Sequence, residues 1–221
     1  MALDVNETSL KFPTSRRMVM SMAGLQKILG SSSKTNLIPA VFLDRDGTIN
    51  VERGYITDPE AVELYSGVAD VIRELNLRGY LIVIVSNQSA IGRHLMDEEQ
   101  FARVNYRLWT LLRKSDALYD ALYYCPHSPD AQALCECRKP KPGLILQAAN
   151  DLRIDLAASF FVGDKILDIQ AGQAAGCKTI MVLTGNGRTS VNMFENAGIK
   201  PDSVQENLAG ASAYISAFGN R

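Results

Sequence analysis

From residue 40 onward, short and continuously apolar runs alternate with segments of helical periodicity. In chain order the runs are AVFL, LIVIV, ALYY, FFV and TIMVL. A strand that is apolar at every position is buried on both faces, and helices that connect such strands are typical of a parallel sheet. The pattern therefore predicts an α/β fold with a doubly wound parallel sheet.

Helices are predicted between these runs from the spacing of apolar residues and from end signals. One helix is predicted near residues 68–75, and two more are predicted at 143–153 and 168–176. Another is predicted to begin at Asp97, because Gln100 completes a capping box with it. The apolar face of this last helix is predicted to consist of Phe101, Val104, Leu108 and Leu111.

A domain boundary is predicted near residue 37. Residues 1–37 mix charged residues, serines and methionines without lasting periodicity, and GSSSKTN lies at their end. They are expected to form a flexible or loosely attached N-terminal extension. The remaining residues, 38–221, are enough for one core and are predicted to form a single domain. No large insertion separates DRDGT from SNQS, so we expect no large cap domain.

The charge balance and the apolar content limit the partners of this chain. Its 23 basic and 24 acidic residues leave a net charge of −1, which favours neither nucleic acid nor an anionic membrane. No apolar run approaches the roughly 18 residues of a membrane span, and the early stretch VMSMAGLQKILG is interrupted by Gln26 and Lys27. We expect a cytoplasmic monomer that acts on a small molecule and binds neither nucleic acid nor membranes.

Polar side chains follow three of the apolar runs at the point where each run ends. DRDGT follows AVFL, SNQS follows LIVIV, and GDKILD follows FFV. Ligands of parallel α/β sheets bind at the carboxyl ends of the strands. We therefore expect one rim of the sheet to carry Asp44, Asp46, Ser86 and Asp164, together with the basic residues Arg138 and Lys139.

This set of side chains suits a magnesium ion and a phosphoryl group. Magnesium prefers hard oxygen ligands, a role that fits Asp44 and Asp164. A carboxylate beside the metal can attack phosphorus, while Asp46 can protonate the leaving alkoxide and later deprotonate water. Asp168 is expected to orient its neighbours rather than bind the metal. The donors expected to stabilise the transferring phosphoryl group are Ser86, Asn87 and Lys139.

Three of the four cysteines and one of the two histidines lie within thirteen positions. The spacing Cys125-x-His127 followed by Cys135-x-Cys137 supplies three thiolates and an imidazole, a set suited to a closed tetrahedral zinc site. Reactive thiols and a chance cluster are the alternatives, and four possible ligands in so short a stretch favour zinc. Such a zinc would hold a loop beside the predicted active site.

The ordered set DRDGT, SNQS, Lys139 and GDKILD resembles the four motifs of the haloacid dehalogenase superfamily of aspartate-nucleophile phosphatases. The resemblance covers residues 40–189 approximately. Within it, DRDGTINVERGY, SNQSAIGR, YYCPH, CECRKPKPG and SFFVGDK are similar to the D-glycero-D-manno-heptose 1,7-bisphosphate phosphatase family, to which histidinol-phosphate phosphatases are related. The resemblance implies a Rossmann-type sheet without a large cap, a zinc-binding loop, and a magnesium-dependent phosphatase that forms an aspartyl phosphate.

The resemblance also implies a role for each matching residue. Asp44 would be the nucleophile and Asp46 the general acid and base, with magnesium held by Asp44, Asp164 and the backbone carbonyl of Asp46. Ser86 and Lys139 would stabilise the phosphoryl group, and the zinc would shape the loop that carries Lys139. The substrate-binding positions implied are Glu52, Arg53, Gly54, Tyr55, Ser86, Asn87, Gln88, Ser89, Arg138 and Lys165.

Three functions remain open at this point. The first is removal of the 7-phosphate from a heptose 1,7-bisphosphate, and the second is hydrolysis of histidinol phosphate. The third is a catalytically idle protein that uses the zinc loop and the phosphate pocket for binding alone. The presence of Asp44, Asp46, Lys139 and Asp164 together argues against the third function.

Overall fold

Six parallel strands form one sheet in the part of the chain that the structure, a computed structural model, describes: residues 37–130 and 135–219. Across the sheet the strand order is β3-β2-β1-β4-β5-β6. The strands are β1 (Ala40–Leu43), β2 (Leu81–Asn87), β3 (Ala121–Cys125), β4 (Phe160–Gly163), β5 (Lys178–Val182) and β6 (Ser203–Gln205). The extension predicted at residues 1–37 lies, except for its last residue, outside the described ranges.

Helices cover both faces of the sheet, as the doubly wound fold predicts. They are α1 (Val68–Leu77), α2 (Ser89–Gly92), α3 (Glu98–Arg113), α4 (Gly143–Leu152), α5 (Ile166–Ala175), α6 (Gly187–Val191), α7 (Phe194–Ala197) and α8 (Leu208–Gly219). Residues of α1, α3 and α8 belong to one hydrophobic cluster, whereas residues of α4 and α5 belong to another on the opposite face. Within the described ranges, no helix has the length and apolar character that crossing a membrane requires.

The central strand β1 shows why the apolar runs have no polar positions. Val41 and Leu43 pack in the first cluster, and Ala40 and Phe42 pack in the second. Successive side chains of a strand point to opposite faces, so a sheet covered on both sides needs apolar residues throughout. Leu43 is in register with Ile84 of β2 and with Val162 of β4. The residues that follow these three strands therefore begin at the same rim.

The predicted start of α3 is confirmed, and its buried face also includes Leu112. The Asp97 carboxylate accepts from the Gln100 backbone amide at 2.7 Å, and the Gln100 side chain accepts from the Asp97 amide at 3.0 Å. Leu111 is partly buried and packs against the core cluster as predicted, and Leu112 is fully buried in the same cluster. With 3.6 residues per turn, positions 111 and 112 lie on the two sides of the face that passes through residues 101, 104 and 108, so both contact the core.

The last strand and the last helix were not predicted from the sequence. In β6 only three residues pair with β5, and two of the three are polar, so no apolar run marks this strand. The helix α8 packs residues into the cluster on the α1 face of the sheet. The segments that follow β1 and β2 contain short turns and the helices α1 to α3, so the described residues between the strands form no separate cap.

Candidate active site

Lys139 lies buried at the rim, with its ammonium group surrounded by oxygen acceptors. Its Nζ is 2.6 Å from Asp44 Oδ1, 2.6 Å from Asp168 Oδ1 and 2.7 Å from the carbonyl oxygen of Val85. Burial by itself would lower the pKa of Lys139, but the charges of Asp168 and Asp44 outweigh that effect and raise the pKa above its ordinary value. Lys139 is therefore a fixed cation next to Asp44.

Asp164 is completely buried and one of its oxygens is unpaired. Its Oδ2 accepts from the Asn186 backbone amide at 2.7 Å, whereas Oδ1 has no hydrogen-bond partner in the described parts of the chain. Burial, and then the negative charge of Asp44, raise the pKa of Asp164 to about 7. Carboxylate oxygens of Asp44, Asp164 and Asp168 lie within 4.8 Å of one another. An unpaired buried oxygen beside other carboxylates fits a magnesium ligand.

Asp168 makes contacts of the kind that the predicted orienting role requires. One of its oxygens accepts from Lys139, and the other accepts from the backbone amide of Lys165 at 2.9 Å. Burial raises the pKa of Asp168 above its ordinary value, and the nearby Lys139 charge opposes this shift. Since both oxygens already accept from nitrogen donors, Asp168 holds Lys139 and the start of α5 in place.

The glycine of DRDGT is required by the close approach of Asp164. Gly47 has a φ of +95°, and a Cβ at this position would be 2.2 Å from Asp164 Oδ2. A side chain there would be strained and would also displace the carboxylate. Gly185 comes equally close, since its Cβ would be 2.3 Å from the same oxygen. The two glycines thus leave space for one buried carboxyl group.

Asp46 is held by three neighbouring side chains. Its Oδ2 accepts from Arg45 Nη2 at 2.8 Å and from Gln88 Nε2 at 3.0 Å, and its Oδ1 accepts from Asn50 Nδ2 at 2.9 Å. Burial alone would raise the pKa of Asp46, but the charge of Arg45 and these hydrogen bonds outweigh burial and lower it. Gln88 also donates to Ser86 Oγ at 2.8 Å, so it links Asp46 to the predicted phosphoryl donor.

Residues 52–55, which the resemblance implies as substrate-binding positions, have different environments. Glu52 accepts from Lys165 Nζ at 2.7 Å and from the Gly54 amide at 2.8 Å. Burial would lower the pKa of Lys165, but the charges of Asp44 and Asp164 and its bond to Glu52 raise it above the ordinary value. Arg53 pairs with a glutamate on the surface, and Tyr55 is half exposed. The structure thus brings Glu52 and Lys165 together, whereas Arg53 and Tyr55 are exposed to solvent.

At the end of β2, Asn87 is bonded to the backbone of Lys139. Its Nδ2 donates to the Lys139 carbonyl at 3.1 Å, and its Oδ1 accepts from the Lys139 amide at 3.1 Å. Both ends of the amide group are therefore used to hold the loop in place. Ser86 is buried in the strand, and Ser89 is the first residue of α2.

The four predicted zinc ligands converge beside this loop. Cys125 Sγ lies 3.6 Å from Cys135 Sγ and 3.5 Å from His127 Nδ1, and Cys137 Sγ lies 3.3 Å from the same nitrogen. Ligands in a tetrahedral zinc site are about 3.5 to 3.8 Å apart, given the usual zinc bond lengths. Arg138 Nη1 donates to the His127 carbonyl at 3.1 Å. The donor set and its spacing therefore fit zinc, with Arg138 and Lys139 directly after the last ligand.

Four polar residues that contact the site carboxylates or their partners were not identified from the sequence: Arg45, Asn50, Asn105 and Asn186. Asn186 donates to Asp164 from a loop after β5, where no motif marks it. Arg45 stands between the two aspartates of DRDGT, and this position next to both carboxylates is visible in the sequence. Asn105 Oδ1 accepts from Arg45 Nη1 at 3.2 Å. It is a polar residue on the apolar face of α3, and such an exception to the pattern is a signal that sequence analysis can detect.

Comparisons with known proteins agree with this geometry. Residues 136–211 match the family model described as HAD-hydrolase-like. The D-glycero-β-D-manno-heptose-1,7-bisphosphate 7-phosphatase of Yersinia pestis is 46% identical over 163 residues, which are 71% of this chain and 86% of that protein. The protein of the same name from Escherichia coli (strain K12) is 44% identical over 177 residues, 78% of this chain and 91% of that protein.

A solved structure extends the comparison to three dimensions. The D,D-heptose 1,7-bisphosphate phosphatase from B. bronchiseptica, crystallised with magnesium and phosphate, has a TM-score of 0.75 and 31% sequence identity. The match covers 82% of this chain and 99% of that protein. The fold and the site thus define a hydrolase of the haloacid dehalogenase class, as the motifs predict. Within that class, the chain belongs to the D-glycero-β-D-manno-heptose-1,7-bisphosphate 7-phosphatase family.

Proposed function

We propose that this chain is a magnesium-dependent phosphatase that removes the 7-phosphate of D-glycero-β-D-manno-heptose 1,7-bisphosphate. The observation that carries the proposal is the group formed by Asp44, Lys139 and Asp164 at the carboxyl ends of the strands, with an unpaired oxygen on Asp164. The names and the extensive identity of the relatives support the substrate. A catalytically idle protein would have no need for a buried and charged group of this kind.

In the first step, a carboxylate oxygen of Asp44 forms a bond to phosphorus while the bond from phosphorus to the sugar oxygen breaks. The sugar oxygen takes the electron pair of that bond, and Asp46 supplies its proton. Asp46 thereby becomes a carboxylate, the form that Arg45, Asn50 and Gln88 stabilise in this structure. The product of the step is an aspartyl phosphate and a free sugar hydroxyl.

In the second step, a water molecule attacks the phosphorus of the aspartyl phosphate. Asp46 accepts a proton from this water, and the bond between phosphorus and the Asp44 oxygen breaks. Inorganic phosphate leaves, while Asp44 is again a carboxylate and Asp46 is again protonated. Lys139, which contacts Asp44, and the Ser86 hydroxyl, which accepts from Gln88, are the donors proposed for the phosphoryl oxygens in both steps.

The residues proposed to hold magnesium are Asp44, Asp164 and the backbone carbonyl of Asp46. When bound there, magnesium offsets the charge of the carboxylates and of the phosphoryl oxygens. Gly47 and Gly185 leave the space that the Asp164 carboxyl group occupies. Zinc is proposed for the separate set of three thiolates and one imidazole, where it would hold the loop that carries Arg138 and Lys139.

The second phosphate of the substrate requires a cation outside the reacting centre. Arg138 is the candidate, because its guanidinium can bind a phosphate with two parallel hydrogen bonds, and Arg53 is a weaker one. The remaining positions proposed to contact the sugar are the stretches 52–55 and 86–89, together with Lys165. A cytoplasmic location and a monomeric state stay predictions.

Steady-state kinetics with two substrates tests the proposed function. With magnesium present, we expect a higher kcat/KM for the heptose 1,7-bisphosphate than for histidinol phosphate. Phosphorus NMR should show a heptose 1-phosphate as the product, because the 7-phosphate is the group removed. A preference for histidinol phosphate would replace the substrate assignment, and absence of turnover with every phosphate ester would overturn the enzymatic function.

A further inference from the structure

Asn105 is a buried amide on the apolar face of α3, and its side chain reaches the candidate active site. It is 4% exposed, and its Nδ2 donates to the carbonyl oxygen of Phe101 at 2.7 Å. This bond fixes which end of the amide points toward the site. The other end, Oδ1, accepts from Arg45 Nη1 at 3.2 Å.

Arg45 connects Asn105 to Asp46. Its Nε is 3.1 Å from each carboxylate oxygen of Asp46, and its Nη2 is 2.8 Å from Oδ2. The guanidinium carbon lies 5.7 Å from the centre of the Phe101 ring. Within the described ranges Asp46 is the one carboxylate that pairs with Arg45, which is 2% exposed. The planar guanidinium of Arg45 is bonded along its edge by Asp46 and Asn105 and faces the Phe101 ring, so it can adopt few orientations.

We propose that Arg45 and Asn105 are positioning residues, which hold the carboxyl group of Asp46 at the angle required for proton transfer to the leaving oxygen. The inference rests on the acid and base role proposed for Asp46. The two other residues that bond this carboxyl group are Gln88, within the motif SNQS, and Asn50, two residues after DRDGT. Arg45 and Asn105 instead tie it to α3, a helix of 16 residues that is packed against the core.

The leaving group provides a measurement that separates positioning from stability. A nitrophenolate leaves without a proton, whereas the alkoxide of an alkyl ester requires one, so only the alkyl ester depends on a well-placed acid. The kcat/KM value reports the steps from free enzyme through the first phosphoryl transfer. A loss of folded protein lowers kcat/KM by the same factor for both esters. A displaced acid lowers kcat/KM mainly for the alkyl ester.

The experiment compares Asn105→Ala with the parent on p-nitrophenyl phosphate and on an alkyl phosphate, both with saturating magnesium. We expect kcat/KM for the alkyl ester to fall by about tenfold to a hundredfold, and that for the nitrophenyl ester by less than about threefold. Arg45→Lys keeps the positive charge but loses the planar fork, so it should show the same difference between the esters. If either variant unfolds, the other one carries the test.

Two further variants make the outcome decisive. Asn76 is a matched control, because its amide exchanges two hydrogen bonds of 3.0 Å with the backbone of Leu118 away from the site. Asn76→Ala should lower kcat/KM for both esters by one common factor. Asp46→Asn removes the acid itself, so it shows how far kcat/KM for each ester falls when no acid is present. If Asp46→Asn discriminates between the esters and the Asn105 and Arg45 variants do not, the positioning role is overturned. If Asp46→Asn does not discriminate either, the proposed function of Asp46 is overturned instead.

Discussion

Lys139 Nζ lies 2.6 Å from Asp44 Oδ1, although the two residues are 95 positions apart in the chain. Both side chains are almost completely buried, at 3% and 6% exposure. The contact joins the end of the central strand to the loop that follows the cysteine cluster. Because a buried ion pair is costly to break, the loop position and the nucleophile position depend on each other.

Replacement of Asp44 by asparagine should remove catalysis while preserving the fold. The amide cannot form an acyl phosphate, and Lys139 retains its bonds to Asp168 and to Val85. We expect turnover to fall by more than about 10³-fold, with a circular dichroism spectrum like that of the parent. Activity within tenfold of the parent would exclude Asp44 as the nucleophile.

Asp164→Asn should raise the magnesium concentration needed for half-maximal activity by at least about tenfold. The asparagine side chain can still accept from the Asn186 amide, but it cannot supply an ionised ligand. Without magnesium, the variant should be at least as heat-stable as the parent, since it removes a buried carboxylate beside Asp44. Activity titrations and thermal melts measure these two effects.

Asp202→Asn is the control for this change. Asp202 accepts from the Thr179 backbone amide at 2.7 Å, outside the candidate active site. Its replacement should leave the magnesium titration of activity unchanged. An Asp164→Asn enzyme with the magnesium dependence of the parent would contradict the ligand role.

The purified protein should contain about one zinc per chain, as measured by elemental analysis. Cys135→Ser should lose this zinc and lower activity, because Arg138 and Lys139 directly follow the cluster in the chain. Cys177→Ala is the matched control, since Cys177 is buried outside the cluster, and it should keep the zinc. A zinc-free parent, or a fully active Cys135→Ser variant that retains zinc, is incompatible with the proposed site.

Arg138→Ala should affect a bisphosphate much more than a small monophosphate ester. We expect kcat/KM to fall by about tenfold or more for the bisphosphate and by less than about threefold for the monoester, which lacks a second phosphate. Lys141→Ala removes a nearby exposed cation that pairs with Glu136, and it should leave the ratio of the two values unchanged. Equal losses on both substrates would show that Arg138 acts only through the loop.

The sheet and the rim of the site could be predicted from local features of the chain. Each of the five apolar runs became a strand, and Asp44, Ser86 and Asp164 lie at or directly after the ends of three of them. The sixth strand was missed because β6 has three residues and gains its order from pairing with β5. Leu111 packs against the core as predicted, while the deeper burial of Leu112 beside it depends on how α3 is seated on the sheet.

The sequence by itself determined which side chains reach the rim and which four residues could bind zinc. Parallel strands covered on both faces end at one edge, and ligand spacing within a short stretch is visible in the chain. The tertiary structure alone decided the partners: Arg45 with Asn105, Glu52 with Lys165, and Asn87 with the backbone of Lys139. Long polar side chains have many possible partners, and the choice among them depends on distances between elements that are far apart in the sequence.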